Sequence, residues 1–160
     1  MRFGSFIGIV LVASVLIPQV GISAQPQDER LSVEASVSTA GPHGQSWQLK
    51  LSPDGAAELE IRYMQNPLGS LKGKFKASRE RIAAVRAILA QERFYDLPAT
   101  ISPKAVALHQ PDLKLKVTIG EKAYNARLYA PNDLTSDDRA RRFLAIWNTA
   151  FAQVPLQPSW

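Results

Sequence analysis

The chain contains no cysteine. That excludes a disulfide scaffold, thiolate metal sites, thiol catalysis and a lipid-modified cysteine anchor. Histidine is nearly as scarce, with two residues in 160, so the common acid–base groups and metal ligands of neutral pH are few. No His-x-x-x-His, His-Glu-x-x-His or Asp-x-Asp-x-Asp-Gly spacing occurs, and neither a metal nor another cofactor is expected. Gly-x-Ser-x-Gly and Gly-x-x-x-x-Gly-Lys-Ser are also missing, which argues against a serine nucleophile elbow and a phosphate-cradling loop. No run of about 20 apolar residues exists, so a multi-span helical membrane protein is excluded. What is present is ordinary for a globular chain: 46% hydrophobic and 21% charged residues, at a length that fits one domain.

Residues 1–24 read as a cleavable signal peptide. Arg2 supplies the positive start, and an apolar stretch runs from Phe3 to Ile17. Pro18 breaks it, and small residues lead to a cut near Ala24. This is the three-part layout of a secretory signal, and the apolar stretch is shorter than the roughly 20 residues that span a bilayer. The mature protein is therefore expected in the periplasm or secreted, with no stable membrane span after cleavage. Residues 25–30, QPQDER, are expected to be a disordered start. A single α+β domain is expected over 31–154, followed by an extended, proline-limited tail over 155–160 that ends in Trp160.

Alternation of apolar and polar residues marks the strands. Leu31, Val33, Ala35 and Val37 alternate with Ser32, Glu34, Ser36 and Ser38. Segments 46–51 and 56–63 form a hairpin about Pro53-Asp54-Gly55, where proline sets one torsion and glycine permits a positive one. Its wet side carries Gln48, Lys50, Glu58, Glu60 and Arg62. A further strand places Leu71, Gly73, Phe75 and Ala77 against Lys72, Lys74 and Lys76, with Gly73 as a candidate bulge. A second hairpin turns at Gly120-Glu121, with Leu113, Leu115, Val117 and Ile119 before it and Tyr124, Ala126 and Leu128 after it. Residues 99–111 show no period and read as a loop.

Two helices complete the pattern. Ser78 caps a helix over 79–92, whose stripe is Ile82, Val85, Ile88 and Leu89. A second helix starts near Thr135 or Ser136, with Asp137 and Asp138 in its first turn and an i,i+4 pair of Asp138 with Arg142. The fold class is α+β: a mainly antiparallel sheet of two or three hairpins, with both helices packed on one face. Trp47, Tyr63, Phe75, Phe143, Trp147 and Phe151 fall at core-facing phases.

The hairpin about Pro53-Asp54-Gly55, the helix opening at Ser78, its closing Arg93-Phe94-Tyr95-Asp96-Leu97-Pro98, and Gln110-Pro111-Asp112 before a strand, with the Gly120 turn, Tyr129 and a final helix, form one run of elements. Over roughly residues 44–152 that run resembles a group of small exported bacterial domains of unknown function. The resemblance implies an α+β fold and export, and it carries no activity or catalytic residue.

Two functional readings follow from the residues. The leading one is a non-catalytic binding or accessory domain. Once the helices cover one sheet face, Lys72, Lys74, Lys76, Lys114 and Lys116 point from the other. If those strands adjoin, they make a positive surface for an anionic envelope polymer or an acidic protein. Export ranks nucleic acid behind those partners. The alternative is a small hydrolase or lyase in which His109 works with Asp112 or Asp96 as an oriented general base. His43 lies in Gly-Pro-His-Gly and reads as a turn residue. An inhibitor-type role would need a broad exposed apolar patch.

Overall fold

The computed structural model describes residues 30–40, 44–64, 69–105 and 108–152. Residues 1–24, expected to be a signal peptide, nearly all of the 25–30 start, His43 and the 155–160 tail with Trp160 lie outside the described residues. Among the described residues seven strands follow in order: β1 (Leu31–Ser38), β2 (Gln45–Leu51), β3 (Ala56–Tyr63), β4 (Ser70–Lys76), β5 (Thr100–Ile101), β6 (Asp112–Ile119) and β7 (Lys122–Tyr129). Helix α1 (Arg79–Gln91) lies between β4 and β5, and α2 (Asp138–Phe151) follows β7. The strands form one sheet in the order β4-β3-β2-β1-β6-β7-β5. Every pairing is antiparallel except that of β5 with β7.

The first strand is thus central. Val33 lies opposite Leu51 on β2 and Val117 on β6, and Ala35 opposite Leu49 and Leu115. These inward residues, with Leu59 and Ile61 on β3 and Leu128 on β7, make one floor. Val85 and Leu89 of α1 and Phe143, Ile146, Trp147 and Phe151 of α2 bury against it. Both helices therefore lie on the same face of the sheet, and the residues between the inward positions face water. Burial of large apolar side chains is the main favourable term, about 1.5–3 kcal/mol for each one fully removed from water.

Turns and caps follow the local chemistry. Gly55 has φ +86°, its N–H donates to the Ser52 carbonyl at 2.9 Å, and its carbonyl accepts from the Ala77 N–H at 2.8 Å. The β2–β3 turn is thereby fastened to the start of α1. A Cβ on Gly55 would stand 2.7 Å from the Ala77 oxygen. The Ser78 hydroxyl accepts from the Arg81 N–H at 3.3 Å, as an N-cap does.

Five expectations are corrected. Within 99–111, Thr100–Ile101 is a strand running parallel to β7; two residues are too few to show a period. The last helix begins at Asp138, after a 3-10 turn over Pro131–Leu134, because the Asp137 side chain takes the cap. Asp138 pairs with Arg141 at 2.8 Å, while Arg142 reaches the other helix and donates to the carbonyls of Glu92 (2.7 Å) and Arg93 (2.8 Å). These are carbonyls beyond the last turn of α1, and a guanidinium fork suits them. Gly73 sits in unbroken register opposite Leu59, without a bulge. A Cβ there would meet the Phe75 ring at 2.7 Å, so the glycine leaves room for that ring. Tyr63, assigned to the core by its phase, is 42% exposed at the end of β3.

Candidate functional site

The water-facing side of the sheet is built from the alternate positions of six strands. Register fixes which side chains adjoin, since residues directly opposite have Cβ atoms about 5 Å apart. One row across the sheet reads Lys74, Glu58, Lys50, Glu34, Lys116 and Asn125. The next reads Lys72, Glu60, Gln48, Ser36, Lys114 and Arg127. Positive and negative charges therefore alternate along the first row, whereas the second passes through the neutral Gln48 and Ser36 and sets Lys114 beside Arg127.

Lys72, Lys74, Lys76, Lys114 and Lys116 do share this face, but they do not adjoin as one lysine surface. The first three lie on the end strand β4 and the other two on β6, with β3, β2 and β1 between them. Each has a carboxylate nearby: Lys72 with Glu60 (3.5 Å), Lys74 with Glu58 (3.2 Å), Lys76 with Asp54 (3.2 Å), Lys114 with Asp112 (3.6 Å) and Lys116 with Glu34 (3.1 Å). The separation arises because the first strand of the sequence inserts between the two hairpins. Arg62 donates to Glu60 at 2.8 Å, and that bond, with Lys72 beyond it, holds the Glu60 carboxyl below its ordinary range. The Ala56 N–H and then Lys76 act likewise on Asp54.

Small residues in the middle rows leave hollows between these long side chains. Two adjoining hollows, of about 260 and 290 Å³, share Ser36, Gln48 and Lys114. Arg62 and Asp112 border the first; Asn125 and Arg127 border the second. A third, about 120 Å³, lies toward β4 between Gln48, Glu60, Lys72 and Lys74. Such a surface offers hydroxyl, amide and charged groups to a polar ligand that spans several strands. The serine run of β1 was the available sequence signal for the hollows, but a hollow depends on the neighbouring strands too.

His109 is exposed in the loop before β6, at φ +65°. Asp112 accepts from Arg127 Nε at 2.7 Å, and Asp96 pairs with Arg93 at 2.7 Å. Both carboxylates considered for pairing with His109 thus face guanidinium groups. Arg139, Arg141 and Arg142 belong to α2, in the layer opposite the lysine rows, and pair with Asp137, Asp138 and the end of α1. Among the described residues, no group of three or more histidines or carboxylates is placed to hold a metal ion, and no helix is long and apolar enough to cross a membrane. No model of a known protein family matches the chain, and no curated protein matches it in sequence.

Proposed function

We propose that the protein is an exported, periplasmic or secreted, non-catalytic binding or accessory domain, and that the charged sheet face meets an anionic envelope component or an acidic protein. The signal-like residues 1–24 support export. One observation carries the binding site: on a single surface, Lys50, Arg62, Lys72, Lys74, Lys76, Lys114, Lys116 and Arg127 outnumber Glu34, Asp54, Glu58, Glu60 and Asp112. The pairs of Lys74 with Glu58, Lys76 with Asp54 and Lys116 with Glu34 are open to water on both sides, whereas Glu60 and Asp112 are only 20% and 16% exposed. Exposed pairs contribute only about 0–1 kcal/mol each, so a partner's carboxylates or phosphates can replace them at small cost. The hollows around Ser36 and Gln48 give such a partner polar contacts between the charges.

The test is binding to immobilised lipopolysaccharide and to polyglutamate across a salt series. Charge screening shortens from about 10 Å at 0.1 M to about 3 Å at 1 M, so binding should fall steeply over that range. Replacing Lys114 and Lys116 with Gln, or Lys72, Lys74 and Lys76 with Gln, should weaken it. Salt-independent binding, or none to either polymer, would count against the proposal.

A further inference from the structure

We propose that β4 is a docking edge for an extended acidic segment of a partner protein, which joins the sheet as an outer strand with carboxylates opposite the lysines. This rests on the function proposed above and narrows it to the acidic-protein partner. β4 is a terminal strand of seven residues. Among the described residues no strand pairs with its outer edge, so that edge is an available template for backbone hydrogen bonds. The opposite margin of the sheet differs, being closed by the two-residue β5.

Charge specifies the occupant. The row Lys74, Glu58, Lys50, Glu34, Lys116 alternates in sign across the sheet and breaks off on a lysine at β4. Lys72, one row along, likewise has Glu60 on its inner side. Lys72, Lys74 and Lys76 remain 69%, 84% and 68% exposed, with room for a second carboxylate on the outer side. The next strand that continues this order carries acids at alternate positions. Its intervening side chains fall on the other face, beside Leu71 (53% exposed) and Phe75, where apolar groups are favoured.

The same geometry disfavours a second copy of the chain. Two β4 strands paired antiparallel about a twofold axis present the same face on the same side. Residues of equal parity then stand opposite each other, and every register that pairs five or more residues of β4 sets lysine against lysine. Like charges directly opposite destabilise a strand pair.

The probe is a capped seven-residue peptide alternating glutamate and valine, titrated into the full chain and followed by backbone amide NMR and hydrogen exchange. Shifts and slowed exchange should centre on residues 70–76. Methylating the amides of alternate residues, so that one edge of the peptide cannot donate, should weaken binding at least about tenfold. Neutralising Lys72, Lys74 and Lys76 with Gln, or raising salt to about 0.5 M, should do the same. A lysine–valine peptide should not bind. Equal binding of the methylated peptide, or shifts confined to β6, overturns the edge proposal. Binding of polyglutamate or lipopolysaccharide without the alternating peptide also overturns it, yet leaves the charged-face function intact. Failure of every acidic probe sinks both.

Discussion

Replacing Asp137 with Ala removes one residue that does two jobs at the start of α2. Its Oδ1 accepts from the backbone N–H of Arg139 at 2.8 Å and of Ala140 at 3.4 Å. Its Oδ2 accepts from the Arg139 guanidinium at 2.6 Å. These donors, the Arg139 side chain foremost, lower the Asp137 pKa from 3.8 to about 2. Fully expressed, that displacement corresponds to about 2 kcal/mol. The side chain retains 17% of its exposure, so water competes for the carboxylate. Loss of an N-cap by substitution with Ala costs typically about 1 kcal/mol. The expected destabilisation at pH 7 is therefore about 1–2 kcal/mol. Its pH dependence has a defined sign. A carboxyl whose pKa is lower folded than unfolded adds stability above its unfolded value and loses it as pH falls toward the folded one. The gap between wild type and Asp137→Ala should be constant from pH 7 to about 5, shrink between about 5 and 2, and be nearly closed below that. Asp137→Asn keeps an acceptor without the charge and should show a smaller loss at pH 7, and its gap to wild type should narrow over the same pH range, because the titrating group is the wild-type carboxyl. Urea denaturation followed by tryptophan fluorescence across that range reads the gap directly, because Trp147 lies buried in the same helix. A gap that stays unchanged at pH 2, or no gap at pH 7, would refute the reasoning.

Substitutions at four other positions probe different parts of the scaffold. Arg142→Ala leaves the Glu92 and Arg93 carbonyls without their charged donor and should cost about 2–3 kcal/mol by urea denaturation; Arg142→Lys should recover only part of that, since an ammonium does not fork. Gly55→Ala combines φ +86° with a Cβ 2.7 Å from the Ala77 oxygen, whereas Gly69, at φ +78°, has nothing within 4 Å of its Cβ site. Gly55→Ala should therefore lower stability by about 2–3 kcal/mol and Gly69→Ala by about 1, and equal losses in thermal melts would disprove the close approach. Glu34→Gln opens one exposed ion pair and should change stability by less than about 0.5 kcal/mol while strengthening polyglutamate binding at low salt, measured by titration on the immobilised polymer.

Much of the fold was legible because the determining signals are local. The alternation in 31–38, the proline–glycine turn at 53–55 and the stripe over 79–92 each depend on neighbours within a few residues. Strand, turn and helix appear there in the structure. Strand order is not local. Nothing in Leu31–Ser38 states that this strand will separate the two hairpins, and that insertion decides which side chains share a row. Arg142 shows the same limit at one residue. Its spacing suits a partner four positions earlier, yet its guanidinium gains more from two carbonyls of another helix, fifty and forty-nine residues away. β5 eluded the pattern for lack of length, and its two residues become a strand only because β7 offers an edge.

The candidate site was half legible for a related physical reason. The lysines of 72–76 recur every second residue, so the sequence tells which face they share. It does not tell what faces them from the next strand, and the closer neighbour is across the ladder: about 5 Å to the opposite residue, against about 6.6 Å to the like charge two positions along the same strand. Glu58 and Glu60 sit opposite Lys74 and Lys72, turning the apparent block of positive charge into a two-sign lattice. Each interior carboxylate of the Lys74 row is flanked on both sides, Glu58 by Lys74 and Lys50, and Glu34 by Lys50 and Lys116. At β7 the row ends on the neutral Asn125. At β4 it ends on a charge with an inner partner alone. The asymmetry of the lattice, more than the net excess of lysine, is what distinguishes β4 from the rest of the surface.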